Sequence, residues 1–497
     1  MRGGSEKCGL ARATSTVAAS AIMSLALAGC VPSGDRPALD IAVPLAYQEQ
    51  NRGPAAPVRD DWPAAFGSPE LTALAQDALA HNLDIAAAIA RIEQADAQAR
   101  IAGAPLFPQA SVTTTASRAQ TPGTLVATQG PFSASRRWTQ TLGLTASYAV
   151  DFWGRNRDLA NAASISALAS RYDRGVVALS TVATLANSYI ALLAAQDRLR
   201  IANDNARLAA NVLHAVRQRL AVGTATALDL AQQEAVLATQ QAAAPLFEQT
   251  VQQTRNIVAV LVGRTPESMH VKGGALMALR LPAVRAGTPA QVLARRPDLA
   301  EGEARLAAAD LNVSAARAAF LPNITLGGDV GLRSLVLKNL FRPEAIAYSL
   351  AAQLAQPLLD GHALQGQLAL NTARSVELLM AYRKQIITAF ADVENALVAL
   401  RAGAAREAAL RTAVGASRRA YEAAMNRLRE GTIDIVTLAT VQTSLFQSLD
   451  QLSQARQARL QAIVSLYQAL GGGWTDADRG AALVELNAAE TKVNPLP

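Results

Sequence analysis

Two hydrophobic rhythms alternate along this chain, and the whole alternation happens twice. Apolar residues three or four positions apart predict helices: Leu71, Leu74 and Ala78 with Ile85, Ile89 and Ile92; Phe390, Val393, Leu397 and Leu400; Leu445, Leu449 and Leu452. Between the helices lie shorter stretches in which every second residue is apolar, such as Thr141-Leu142-Gly143-Leu144-Thr145 and Ile324-Thr325-Leu326, the rhythm of a strand. In order, the pattern predicts a helix from a Ser68 cap with Pro69 at its first position to about Ala102, then strands over 109–118 and 139–151. A helix of nearly 70 residues follows Gly154, a turn falls at Gly223-Thr224, and a helix of about 40 residues returns. The second pass gives a helix from Thr288-Pro289 to about Ala319, with Pro297 as a break or fresh start. Strands at 323–332 and 345–354, a second helix of nearly 70 residues after Gly361, a turn at Gly431-Thr432 and a last long helix complete it.

The two passes share landmarks as well as rhythm. Leu106-Phe107-Pro108 returns as Phe320-Leu321-Pro322, and Arg219-Leu220-Ala221-Val222-Gly223-Thr224 returns as Arg427-Leu428-Arg429-Glu430-Gly431-Thr432. Asp84 matches Asp298, and Gly263 matches Gly471. Gly154 to Gly223 and Gly361 to Gly431 are 69 and 70 residues, and the next leg to Gly263 or Gly471 is 40 in both. Only the leg from Pro108 to Gly154, 46 residues, differs from its counterpart of 39. A helix cannot lose seven residues without losing its register, whereas a surface loop can. The chain is therefore one duplicated unit with a free loop inside the strand pair.

The strands have a membrane character. Each is about ten residues long, alternating and only weakly apolar, which suits a transmembrane β-strand. Nine of the 21 aromatic residues fall in 105–155 and 319–359, and Trp138, Tyr148, Phe152, Trp153, Phe341 and Tyr348 are expected to flank the strands as an interfacial girdle. Four strands cannot close a barrel, and lipid tolerates no open sheet edge, so several copies must pool their strands. Three copies would supply 12. The helices of nearly 70 residues, roughly 100 Å long at 1.5 Å per residue, have the spacing and alanine content of coiled-coil packing.

The amino terminus reads as a secretory signal: Arg2, Lys7 and Arg12 precede an apolar run that ends in Leu27-Ala28-Gly29-Cys30. Small residues before a cysteine are what the lipoprotein signal peptidase accepts, so Cys30 is expected to be the lipid-modified first residue of the mature chain. Val31 after it favours the outer membrane. With Cys8 removed and Cys30 acylated, no disulfide is possible, and packing alone must hold the fold. The net charge is +7, or +5 once the signal is gone, without basic blocks, which excludes a nucleic-acid footprint.

Catalytic chemistry finds no foothold. His81, His214, His270 and His362 are scattered, the methionines do not cluster, and no nucleophile motif frames a serine. The Gly471–Gly473 run reads as a helix C-cap rather than a phosphate loop. Glu301 and Glu303 read as solvated residues of a charged helix. No enzyme activity, metal or cofactor is expected beyond the covalent lipid on Cys30.

The Leu-Ala-Gly-Cys30 signal, Arg295-Arg296-Pro297-Asp298-Leu299, Ala315-Ala316-Arg317-Ala318-Ala319-Phe320-Leu321-Pro322, the paired Arg-Leu-x-x-Gly-Thr turns and the closing Leu470-Gly471-Gly472-Gly473-Trp474 together resemble the outer-membrane factor family, the TolC-like and more narrowly NodT-type lipoproteins of tripartite efflux systems. The resemblance covers about residues 30–475. It implies a mostly helical homotrimer with a 12-stranded transmembrane β-barrel continued by a long periplasmic α-helical barrel. The chain would then be a passive duct for small molecules such as drugs, with a periplasmic adaptor and an RND-type inner-membrane pump as partners. The same fold serves type I protein secretion, which is the alternative. The implied divisions are a signal at 1–29, a lipidated extended segment at 30–67, repeats at 68–263 and 289–471, an equatorial stretch at 264–288 and a tail at 472–497.

The resemblance places the adaptor contacts at Gly223, Thr224, Gly431 and Thr432, and the periplasmic constriction just beyond these turns. Relatives often carry aspartates where this chain has Thr437 and Thr440, while Asp229 matches an aspartate found in relatives. Where some relatives latch that carboxylate with tyrosine and arginine, this chain has Leu428 and Ile433, which cannot hydrogen-bond through their side chains. Asp434 is the remaining acid. In a helix starting near Ile433, Val436 and Thr440 would share one face, so an apolar narrowing at Val436 is expected to close the pore.

Overall fold

The computed structural model describes residues 38–49, 61–121, 135–474 and 477–484. Cys30, the signal segment, the loop of the first hairpin and the tail beyond 484 lie outside the described residues. The chain divides into two compact units: a strand unit around 102–162 and 309–377, and a helical unit made of 40–101, 163–308 and the residues from 378 onward.

In the strand unit, β1 (Gln109–Thr121), β2 (Ser135–Val150), β3 (Asn323–Ser334) and β4 (Ile346–Ala355) form one antiparallel sheet in the order β1-β2-β3-β4. Directly opposed residues share a face. One face carries Val112, Leu144, Val330 and Tyr348 as a row, with Val150, Ile324 and Leu354 as another. The other face carries Ser111, Thr145, Asp329 and Ser349, joined by a 2.8 Å bond between the Ser111 and Thr145 hydroxyls and by Ser349 donating to Asp329. One side is thus apolar from edge to edge and the other polar. Both β1 and β4 leave an edge unpaired among the described residues.

The aromatic girdle is only partly where the sequence put it. Trp138 lies near the loop end of the sheet, and Phe152 and Trp153 lie just past its base, where Trp153 Nε1 donates to the Pro322 carbonyl at 2.8 Å. Phe341 is in the β3–β4 loop. Tyr348, however, stands level with Leu144 in the middle of the apolar band, because Ile346 already pairs with Leu332 and β4 enters the sheet two residues before the tyrosine. Tyr148 likewise lies within β2, opposite Leu326.

The helices are α1 (Pro69–His81), α2 (Leu83–Gly103), α3 (Arg155–Ala221), α4 (Ala227–Leu261), α5 (Pro289–Arg295), α6 (Pro297–Ala318), α7 (Ala363–Arg429) and α8 (Ile435–Ala469). The long pair, α3 and α7, are 67 residues each, and the returning pair 35 each. One stretch of α3 is apolar enough by composition to cross a membrane, yet half of it is buried in the fold. Leu185, Ile190, Leu192 and Leu193 of α3 pack in the helical unit's core with Val393 and Leu397 of α7 and Leu460, Ile463 and Val464 of α8.

The helix expected to run unbroken from Ser68 to Ala102 is broken at Asn82. The Asn82 side chain accepts from the Asp84 and Ile85 N–H groups at 2.9 and 3.1 Å, capping α2, and donates to the Leu261 carbonyl at 2.8 Å. Arg296 occupies the same place in the second repeat: it donates to the Ala469 carbonyl at 3.3 Å while gripping Asp298 at 3.0 and 2.8 Å. This is the physical content of the Arg-Arg-Pro-Asp motif, a clasp that ties the break between α5 and α6 to the end of α8. The glycines beside these clasps leave no room for a side chain: a Cβ on Gly263 would meet the His81 carbonyl oxygen at 2.1 Å, and one on Gly471 the Arg295 carbonyl oxygen at 2.1 Å.

Residues 272–279, between the two repeats, are pinned by polar side chains, of which Asp197 and Arg456 are buried. Glu70 accepts from the Lys272 and Gly273 N–H groups at 2.8 and 3.0 Å, Asp197 from Leu276 at 3.0 Å, and Arg456 donates to the Leu279 carbonyl at 2.6 Å. Trp62 and Phe66, in the short turn before α1, are fully buried, with Trp62 stacked on Tyr467 at 5.1 Å.

Candidate functional site

The two Gly-Thr turns are built identically. Each long helix ends in a Schellman motif: Gly223 N–H bonds Leu220 O at 3.0 Å and Thr224 N–H bonds Arg219 O at 2.8 Å, while Gly431 and Thr432 bond Leu428 O and Arg427 O at 3.0 and 2.9 Å. Both glycines are left-handed, with φ of 75° and 76°. Each threonine hydroxyl donates a second bond to the same arginine carbonyl, at 3.1 Å in both turns. The Arg-Leu-x-x-Gly-Thr pattern is therefore a helix stop written in sequence.

The next helices start with reciprocal chemistry. Thr226 caps α4, accepting from the Asp229 N–H at 3.2 Å while Asp229 accepts from the Thr226 N–H at 2.7 Å. In the second repeat the acid and the threonine exchange places: Asp434 caps α8 and accepts from the Thr437 N–H at 2.6 Å. That N–H holds the Asp434 carboxyl below the usual carboxylate range. The helix thus begins at Ile435 rather than near Ile433, because Asp434 rather than Ile433 supplies the cap.

The turns meet in one apolar cluster within the helical unit. Val212 and Val216 of α3 pack with Tyr421 and Leu428 of α7 and with Ile435 and Leu438 of α8. Arg219 stitches the turns by donating to the Leu428 carbonyl at 3.1 Å. Leu428 is buried in this cluster and Ile433 is packed against it, so the two positions aligned with a tyrosine–arginine latch serve the core. Val436, Thr437 and Thr440 are all exposed, on the side of α8 away from buried Ile435 and Leu438, and Thr440 Oγ1 donates to the Val436 carbonyl at 2.9 Å. The structure thus gathers the sequence-predicted tip residues at one end of two helical hairpins.

Sequence reasoning missed the buried charges. Glu407 is only 1% exposed and is held by Arg411, Arg456 and Arg459 at 2.6, 3.3 and 3.0 Å. Burial pushes its carboxyl up, but the three guanidiniums win and hold it below its ordinary value. Glu301, expected in solvent, is buried instead; burial pushes it up to about 6, against the pull of Arg305 at 2.5 Å. Glu303 is exposed and pairs with Arg479 at 2.8 Å. The only signal in the sequence is an acid in an alanine-rich helix with arginines one turn away. Among the described residues no cluster of His, Cys, Asp or Glu is placed to hold a metal ion.

The family description "Outer membrane efflux protein" matches residues 74–264 and 288–472, one stretch per repeat. The chain belongs to the outer membrane efflux protein family. It is 39% identical over 455 residues to the pyoverdine export outer membrane protein OpmQ of Pseudomonas putida, covering 91% of this chain and 96% of the relative. A membrane protein structure from Pseudomonas aeruginosa superposes with a TM-score of 0.80 at 28% identity, covering 89% of this chain and 99% of the other. The open state of the Neisseria gonorrhoeae MtrE outer membrane channel superposes with a TM-score of 0.78 at 26% identity, covering 90% and 98%. This member is thus an outer-membrane efflux channel protein, with the mostly helical fold and transmembrane β part of the TolC-like channels. The family consists of transport components that need no cofactor.

Proposed function

We propose that this chain assembles as a homotrimer, closes a 12-stranded barrel in the outer membrane, and serves as the passive duct of a tripartite efflux system of the RND type. The observation that carries the reading is the sheet: one face with a continuous apolar band, one polar face and, among the described residues, two unpaired edges. Lipid can accept such a sheet only when its edges are closed. Three sheets placed edge to edge make a lipid-facing apolar band around a polar lumen. Two relatives named for pyoverdine export, at 39% and 37% identity, favour a secreted compound as cargo.

In this reading Cys30 carries the lipid that adds an anchor to the barrel. The Gly223-Thr224 and Gly431-Thr432 turns receive the periplasmic adaptor, and through it the inner-membrane pump. Val436 narrows the periplasmic end, with Thr437 and Thr440 beside it and Asp229 and Asp434 as capping acids at its rim. The repeats at 68–263 and 289–471 are the two working units, joined by the equatorial stretch.

A photo-crosslinking residue at Thr224 or Thr432 tests the docking assignment. The expected product is an adduct with the periplasmic adaptor from both positions and none from Thr239 further along α4. Adducts from Thr239 but from neither turn would place adaptor docking elsewhere.

A further inference from the structure

The two ends of the sheet differ in charge. All four strands run into helices at one end, so the hairpin loops share the other, the end that faces outward in the trimeric barrel proposed above, on which this inference rests. At the loop end lie Arg118, Arg137, Arg333, Lys338 and Arg342 against a single acid among the described residues, Glu344, and the sequence of residues 122–134 holds no charged residue. The helix end is balanced by comparison: Asp151, Asp158 and Asp360 accompany Arg155 and Arg157.

The register sorts these cations by face. Arg137 and Arg333 alternate onto the polar face, towards the lumen. Arg118 belongs to the apolar face, where its guanidinium lies 5.4 Å above the ring of Trp138, which is 49% exposed. The β3–β4 loop adds Leu335, Val336, Leu337 and Phe341, all exposed, with Lys338 and Arg342 among them. Neither cation has a side-chain partner among the described residues. Exposed apolar side chains interleaved with unpaired cations are poorly suited to water alone. They suit a boundary where hydrocarbon gives way to anionic headgroups, with long basic side chains reaching up to the charge.

We propose that this rim, formed by Arg118 with Trp138 and by Lys338 and Arg342 with Phe341, is a docking surface for the phosphorylated headgroups of the glycolipid in the outer leaflet. Charge complementarity selects the occupant: the rim carries almost no acid of its own, and phosphate groups on a lipid provide both the anion and the acyl chains the apolar residues face. Each cation near an anionic lipid surface strengthens binding about fivefold.

The test uses the full-length protein purified in non-ionic detergent and titrated with bisphosphorylated lipid A, followed by native mass spectrometry. The combined variant Arg118→Gln, Lys338→Gln, Arg342→Gln is expected to weaken binding roughly a hundredfold, three cations at about fivefold each. The charge-conserving variant Arg118→Lys, Lys338→Arg, Arg342→Lys keeps the affinity, as does Arg418→Gln on the exposed surface of α7. Chemically dephosphorylated lipid A binds weakly, and a large excess of inorganic phosphate does not displace the lipid. Equal binding of the dephosphorylated lipid, or unchanged affinity in the neutralised variant, overturns the proposal. Displacement by inorganic phosphate would reduce the rim to a general anion site and overturns it equally.

Discussion

Val436 owes its place to two neighbours that face the other way. Ile435 and Leu438 are buried in the tip cluster, which leaves Val436 and Thr440 exposed four positions apart on α8. If three such valines meet on the lumen axis, they exclude water without any charge. Val436→Ser should therefore raise planar-bilayer conductance, while Asp434→Asn, which weakens a helix cap, should change it little. The reverse pattern would assign closure to the capping acid. Asp434 has a folded value held down, so its stabilising contribution is present above its unfolded value and fades as pH falls through the folded one.

Glu301 behaves in the opposite sense. Burial holds it at about 6 in the folded chain, above an unfolded value of about 4.3. The folded state then binds the proton more tightly, so the benefit is present below the unfolded value and is lost as pH rises through about 6. Glu301→Gln should raise stability at pH 8 by about 1–2 kcal/mol and make little difference near pH 4, measured as thermal midpoints at the two pH values. A loss of stability at pH 8 would mean that the Arg305 pair outweighs burial. None of this was visible in the sequence, where Glu301 and Glu303 look alike; burial separates them, and burial is set by tertiary packing.

At the scale of elements, the duplicated rhythm was the most legible feature. The paired glycines mark the stops of all four long helices, because a Schellman motif needs a left-handed residue at a fixed place. The strands lie within a few residues of their expected bounds, because alternation is a local signal. The break at Asn82 was missed because its cause is distant: the side chain is satisfied partly by Leu261, 179 residues away. The second repeat announced its break through Pro297, whereas the first used asparagine.

The glycines differ in what surrounds them, which gives a graded prediction. A Cβ on Gly431 meets nothing within 4 Å, so Gly431→Ala should cost only the left-handed strain, about 1–2 kcal/mol. Gly471→Ala adds a collision with the Arg295 carbonyl oxygen at 2.1 Å and should cost about 1–3 kcal/mol more. Denaturant midpoints of the two variants would show it; equal losses would mean that the clasp between α5 and α8 yields without cost.

For the whole molecule, the chemistry of the sheet decides the assembly. Its alternation was readable along each strand, but the continuity of the apolar face across four strands depends on a register that joins residues far apart in sequence, such as Leu144 with Val330. The placement of Tyr348 inside the band rather than at its border came from that register and not from the strand itself. A sheet of this kind has no stable place in lipid as a single copy. The most direct measurement is the native mass of the protein extracted in mild detergent, combined with hydrogen exchange along β1 and β4. Three copies with both strands protected is the predicted result, and a monomer with four folded strands and freely exchanging edges would contradict it.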